Sequence, residues 1–297
     1  MAKQSKLVIG CGYLGLRVAK LWLARGDEVC AVTRSLQKAE QFSAQGLRPV
    51  LADITDASSL RQLPPAETVL FAVGYDRAAG PSIHDVYVDG LRATLEALTG
   101  DLQRFIYVSS TGVYGQTGGE IVDENSPCEP TREGGRACLA AEQLLAQHPV
   151  GDRRIVLRLA GLYGPGRVPR IEKIRRGDPV PAPSTGYLNL IHVDDAARIV
   201  LAAEDRLTAP QTYCVSDGYP TMRRDYYTEV ARLLDAPPPR FVEPSPEMPV
   251  ARRAASSKRI DNQKMRRELT VELKYPTYRE GLAAVLAPPV VRSPGPS

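Results

Sequence analysis

The chain has 297 residues, is 43% hydrophobic and carries a net charge of +4, which suits an α/β protein with an ample core. The charge is small and spread out, so it selects neither a nucleic acid nor a membrane surface as partner, and no stretch approaches the ~18–20 uninterrupted apolar residues of a membrane helix. The five cysteines are too dispersed for a metal knuckle or a C-x-x-C pair, and they point to free thiols in a reducing cytoplasm.

Residues 7–9 read as the tip of a buried strand. Gly10, Gly12 and Gly15 follow at the G-x-G-x-x-G spacing and break the early apolar run, which argues against a signal peptide. Leu14, Val18, Leu21 and Trp22 then recur at helical period, and Gly26 can close that helix. Strand, glycine turn and helix together predict a dinucleotide site. Gly10 would make the tight turn, Gly12 would leave room for a pyrophosphate, and Gly15 would let the helix approach the strand. Tyr13 and Leu14 belong to the same loop, and the helix N-terminus would offer N–H groups to the phosphates.

A second strand is expected at Glu28–Thr33, and Ser35 can cap a helix running to about Ala44 with Gly46 as its stop. Further strands are expected over 47–51, 68–73, 105–108 and 154–159. Long helices are expected over 82–98 and 133–147. Strands that are apolar throughout, separated by helices, predict a Rossmann-type doubly wound parallel sheet. Breaker clusters appear after Tyr163. Beyond them come a strand over 189–193, a helix to about Glu204 that Asp194 can cap, a strand over 211–215 and a helix near 221–234 that Thr221 can cap. A proline-rich connection over 237–249 precedes a charged helix beginning at 256–257 and a last helix over 278–286. The expected organisation is a dinucleotide-binding domain over 1–165, rejoined by 188–205, then a smaller substrate domain over 166–287 and a disordered tail over 288–297.

In such a fold, an acid just after the second strand meets the adenosine ribose and selects NAD. Thr33, Arg34 and Ser35 stand there instead. A guanidinium with two hydroxyls suits the 2′-phosphate of NADP, and a charge-assisted hydrogen bond of about 1.5–3 kcal/mol would favour NADP over NAD. Asp53 and Ile54, after the third strand, could meet the adenine, and Ala72 closes the fourth strand at the cofactor.

Several runs together resemble the extended short-chain dehydrogenase/reductase superfamily of the NAD-dependent epimerase/dehydratase type. They are Gly10 to Gly15, Asp53 to Asp56, Tyr87 to Leu95, Tyr107 to Gly115, Arg158 to Gly166 and Ile191 to Asp195, in family order. More narrowly, the chain is similar to the YeeZ-like atypical group. The resemblance implies an NADP-dependent oxidoreductase or epimerase-like enzyme (NAD also fitting) acting on a small molecule, with a homodimer through the helices at 82–98 and 133–147. It places Ser110 as the catalytic hydroxyl, with Thr111 beside it. The family's Tyr-x-x-x-Lys pair does not match, because Gly134 and Cys138 stand at those positions. A phenol near pKa 10 needs such a cation to act near neutral pH. Tyr114 and Tyr163 are candidate replacement acids, and Arg136 lies near the lysine position and could hold the nicotinamide ribose. Arg167 could hold a substrate anion. His192 would fix the crossing between domains. Without the relay, a non-catalytic NADP-binding redox sensor or interaction protein stands as the alternative.

Overall fold

The computed structural model describes residues 4–206, 209–245 and 256–287. Seven strands form one parallel sheet: β1 (Ser5–Ile9), β2 (Glu28–Thr33), β3 (Arg48–Leu51), β4 (Thr68–Phe71), β5 (Arg104–Ser110), β6 (Arg154–Leu159) and β7 (Gln211–Val215). Their spatial order is β7-β6-β5-β4-β1-β2-β3. The chain runs outward from β1 to β3, then returns to build the other half from β4. That reversal opens a crevice at the carboxyl ends of β1 and β4.

The helices are α1 (Gly15–Ala24), α2 (Leu36–Ala44), α3 (Gly90–Ala97), α4 (Glu133–Gln147), α5 (Ile171–Arg175), α6 (Val193–Glu204), α7 (Arg223–Leu233), α8 (Gln263–Leu269) and α9 (Tyr278–Leu286). Successive strand residues face opposite sides, so each strand feeds two cores. Val8, Leu70 and Ile106 pack with Val18 and Trp22 of α1, Val200 of α6 and Met265 of α8. Leu7, Val69 and Phe105 pack with Leu91 and Leu95 of α3 and with Leu145 of α4. Each fully buried side chain of this size contributes about 1.5–3 kcal/mol. A third core, with Tyr163, Ile174, Tyr226, Tyr278 and Leu282, holds the smaller lobe.

One charged group lies inside the first core. Lys6 is 1% exposed, and its ammonium meets the Glu204 carboxylate, Thr68 Oγ1 at 3.2 Å and Gln4 Oε1 at 2.7 Å. Trp22 Nε1 donates to the other Glu204 oxygen at 2.6 Å. β1, α1 and α6 are thereby tied at one point.

Several expectations need correction. The helix expected over 82–98 opens with a π-helical turn, Asp85–Asp89, before α3. This wider turn carries Tyr87 edge-on to Tyr75, with ring centroids 6.4 Å apart. Asp194 does not cap α6. His192 does, its Nδ1 accepting the Asp194 N–H at 3.2 Å, while the Asp194 carboxylate takes Arg17 Nε at 2.8 Å. Thr221 does not cap α7, because it is drawn into a short strand paired with Tyr187–Leu188. The charged helix expected from 256–257 begins instead as the strand Lys258–Ile260 against Glu120–Val122, and α8 starts at Gln263. In the last two cases tertiary pairing overrides local propensity. The central sheet also takes in β7, and its core takes in α8, so the larger layer reaches beyond the 188–205 return. The expected tail over 288–297 lies outside the described residues.

Candidate functional site

A cleft of about 690 Å³ opens at the β1–β4 switch point. Gly10 has φ +89°, and a Cβ there would fall 2.5 Å from the Ala72 backbone. Gly15 would place a Cβ 2.4 Å from the Gly10 carbonyl oxygen. Both must be glycine for the turn and helix to close on the strands. A Cβ on Gly12 would meet nothing within 4 Å, and Gly12 lines the cleft. The three glycines thus leave a cradle beside the α1 N-terminus that fits a diphosphate.

Thr33, Arg34 and Ser35 line the cleft at the end of β2. Ser35 caps α2 by accepting the Lys38 N–H at 3.3 Å, and this turn brings Lys38 into the same wall. Arg34 pairs with Asp53 at 3.5 Å, and both groups are substantially exposed. Burial raises the Asp53 carboxyl, but the Thr55 N–H and hydroxyl together with Arg34 outweigh it and hold the group below the usual carboxylate range. Ile54, Ala72, Tyr13 and Leu14 also line the cleft. Gly15 does not, since it acts behind the loop.

The far end is walled by Val108, Leu162 and Arg167. Arg167 lies over the Tyr13 ring, 5.3 Å from its centroid, with Arg17 4.6 Å away. Burial pushes the Tyr13 phenol up, against the pull of these two cations. The Tyr13 hydroxyl and His192 Nε2 are buried and lack hydrogen-bond partners among the described residues. Both face Gly164, where a Cβ would fall 2.8 Å and 3.2 Å from them. Burial also lowers His192, although Asp194 and Asp195 favour its charged form.

Strand alternation sets the roles along β5. Ser109 is buried and donates to Glu142, whereas Ser110 is half-exposed on the same side as Val108, and neither it nor Thr111 lines the cleft itself. Ser110 Oγ accepts the Gly112 N–H at 3.0 Å, which fixes the oxygen and leaves its own proton to donate. Thr111 follows in the turn. Gly135 of α4 packs on this turn so closely that a Cβ would come 2.2 Å from the Gly112 oxygen.

Tyr114 is not placed to replace the missing acid. Its ring is 2% exposed and its hydroxyl lies 2.8 Å from Arg158 Nη1 and 3.0 Å from Cys214 Sγ. Burial raises its pKa far above the phenol range. Tyr163 is likewise buried and raised by burial. Arg158 is locked on Glu142 by a forked pair, with Nη2 to Oε2 at 2.7 Å. Arg136 turns outward, donates to the Thr131 carbonyl at 2.8 Å and does not line the cleft. Burial pushes the Cys138 thiol up to about 12, an inert state.

Two cations missed in sequence border the Ser110 turn. A Cβ on Gly112 would stand 3.1 Å from both Ser110 Oγ and Arg132 Nη2, so Arg132 flanks the serine. Lys258 is 5% exposed and donates to the Tyr114 carbonyl at 2.8 Å, across 144 residues of chain, and to Ser256 Oγ at 3.0 Å. Its segment carries no local signal, since only the pairing of Lys258–Ile260 with Glu120–Val122 brings it there.

Residues 7–216 match the model of the NAD dependent epimerase/dehydratase family. The chain belongs to that family. It is 28% identical to protein YeeZ of Escherichia coli over 275 residues, 91% of this chain and 95% of YeeZ. It is also 28% identical over 232 residues to a 4-hydroxy-2-methyl-3-oxo-4-farnesyl-3,4-dihydroquinoline-1-oxide ketoreductase of Stigmatella aurantiaca, covering 74% of this chain and 70% of the ketoreductase. A functionally unknown conserved protein from Silicibacter pomeroyi superposes with TM-score 0.79 at 28% identity, covering 96% and 99% of the two chains. The fold is shared with Bordetella bronchiseptica WbmG in complex with NAD, at TM-score 0.77 and 20% identity, over 96% of this chain and 94% of WbmG. No described helix is long and apolar enough to cross a membrane.

Proposed function

We propose that the protein is an NADP-dependent oxidoreductase of the epimerase/dehydratase type, acting on a carbonyl or hydroxyl group of a small molecule. The observation that carries this reading is the meeting, in one cleft, of the glycine cradle with Arg34, Ser35 and Lys38 at the β2 end. Gly10, Gly12, Tyr13, Leu14 and Ala72 would hold the diphosphate half, with Gly15 supporting the loop. Ile54 and Asp53 would border the adenine. The exposed Arg34–Asp53 pair is worth little by itself, so the guanidinium can take a 2′-phosphate at small cost. A relative named as a ketoreductase and a neighbour solved with NAD support the coarser reading, an oxidoreductase with a nicotinamide cofactor, and the choice of NADP rests on the β2 end alone.

A bound nicotinamide supplies or accepts the hydride. The chain's own residues orient the reacting oxygen. Ser110 Oγ, pinned by the Gly112 N–H, can donate to that oxygen, with Thr111 as its neighbour. The α4 face supplies no phenol at Gly134 and no ammonium at Cys138, so the proton comes from another group or from solvent. Pairing of two copies through α3 and α4 rests on the family resemblance, and sedimentation of the purified chain tests it.

Arg34→Asp is expected to weaken NADP binding by about tenfold to a hundredfold, in line with one charge-assisted hydrogen bond, and to leave NAD binding nearly unchanged. Equal losses in calorimetry would remove the 2′-phosphate assignment. Ser110→Ala is expected to reduce NADPH-dependent turnover of a responsive carbonyl by about tenfold or more with cofactor affinity retained. Tight NADP binding with no turnover across a broad carbonyl panel would favour the non-catalytic reading, which the buried Tyr114 and the unfilled α4 face support.

A further inference from the structure

A buried lysine ordinarily has a carboxylate to offset the loss of its hydration. Lys258 is 5% exposed, yet among the described residues it forms no ion pair, only bonds to the Tyr114 carbonyl and Ser256 Oγ. An ammonium has three donors, so one N–H has no acceptor among the described residues. Burial, and then the like charge of Arg132, push its pKa down to about 8. Arg132 is half-exposed, immediately precedes α4 and flanks Ser110 Oγ. The N-terminus of the fifteen-residue α4, whose first turn also carries Glu133, begins directly after Arg132. Arg132 therefore stands beside Ser110 Oγ, and Lys258 stands at the Tyr114 carbonyl, four residues further along the same turn. Lys258 holds the carbonyl of Tyr114, the residue that ends the Ser110 turn, and neither Lys258 nor Arg132 lines the cofactor cleft.

We infer that Arg132 and Lys258, meeting at the Ser110 turn from α4 and from the C-terminal segment, bind an anionic group of the substrate, a carboxylate or a phosphate. This inference rests on the reading of Ser110 as the residue that orients the reacting oxygen. The substrate class is then an acid or phosphate ester with its carbonyl or hydroxyl a short reach from the anion. The anion completes the coordination of Lys258 and offsets the repulsion from Arg132. A guanidinium can grip either anion through two parallel bonds, and the ammonium contributes a point charge.

The test uses the full chain saturated with NADP, so that the cofactor cradle cannot take up the probe. Inorganic phosphate and succinate are each titrated calorimetrically into wild type, Arg132→Gln, Lys258→Met and Lys258→Arg. Wild type is expected to bind at least one probe. Arg132→Gln and Lys258→Met are each expected to weaken it by about tenfold or more, as loss of one charge-assisted bond requires, and Lys258→Arg to keep it within a few fold. A preference for phosphate points to a phosphate ester, and a preference for succinate points to a carboxylic acid. Absence of binding by NADP-loaded wild type, or binding by Arg132→Gln equal to wild type, would overturn the proposal. Should Lys258→Met fail to fold, Arg132→Gln and Lys258→Arg still decide it. NADP affinity is measured on the same samples. Its absence in wild type would sink the cofactor reading, whereas its presence without anion binding would sink only this one.

Discussion

Two buried lysines divide the molecule. Lys6 sits between β1 and α6 with the Glu204 carboxylate against it, and Glu204 is held in turn by Trp22. Lys258 sits behind the Ser110 turn with a carbonyl and a hydroxyl, and no carboxylate among the described residues. The first has every feature of a tie between sheet and helices. The second has no carboxylate among the described residues to offset its charge, and it lies against the carbonyl that ends the Ser110 turn. The difference shows that burial alone does not mark a functional lysine. What sets Lys258 apart is burial with an incomplete set of partners among the described residues.

Removing the partner of Lys6 sharpens the contrast most. Glu204→Ala leaves an uncompensated ammonium and an unpaired Trp22 N–H in the core, so a loss of about 3–5 kcal/mol is expected in denaturant unfolding. A loss under about 1 kcal/mol would mean that Lys6 escapes to solvent, and the contrast would collapse.

Asp217 supplies the mirror image, a buried acid that forms no ion pair among the described residues. It is 3% exposed, and one of its carboxylate oxygens lacks a partner among the described residues. Burial raises its pKa to about 7 from 3.8. The folded state therefore holds a proton that the unfolded state has released between those values, and stability falls as pH rises from about 4 to 7. The linked loss is at most about 4 kcal/mol. Asp217→Asn is expected to remove that slope in unfolding curves taken across the range, and an unchanged slope would place the titration elsewhere.

Lys258 gives the opposite sign. With its pKa lowered to about 8 from 10.5, the unfolded chain binds the proton more strongly above pH 8. Stability should rise from pH 8 towards 10.5 by at most about 3 kcal/mol relative to Lys258→Met. A flat difference between wild type and Lys258→Met across that range would erase the distinction.

The cofactor half of the molecule was legible in the chain, because its requirements are local. The turn at Gly10, the opening at Gly12 and the close approach at Gly15 depend on neighbours within one strand–turn–helix unit. Gln211–Val215 and α4 were also legible, since apolar runs and helical period set them without distant partners. Arg34 and Ser35 could be read from the end of β2, and Lys38 could have been, lying one turn beyond the cap at Ser35.

The reaction end was decided by tertiary structure. Whether Tyr114 faces the cleft or the interior depends on Arg158 and Cys214, 44 and 100 residues away. Whether the segment after residue 255 is helix or strand depends on Glu120–Val122, which pairs with it and leaves Lys258 on the Tyr114 carbonyl. The sequence by itself thus determined the sheet and the glycine loop, because apolar runs and short-range sterics suffice for them. Only the folded chain decided which buried charges have partners, because a counter-ion's position depends on contacts between residues far apart in sequence.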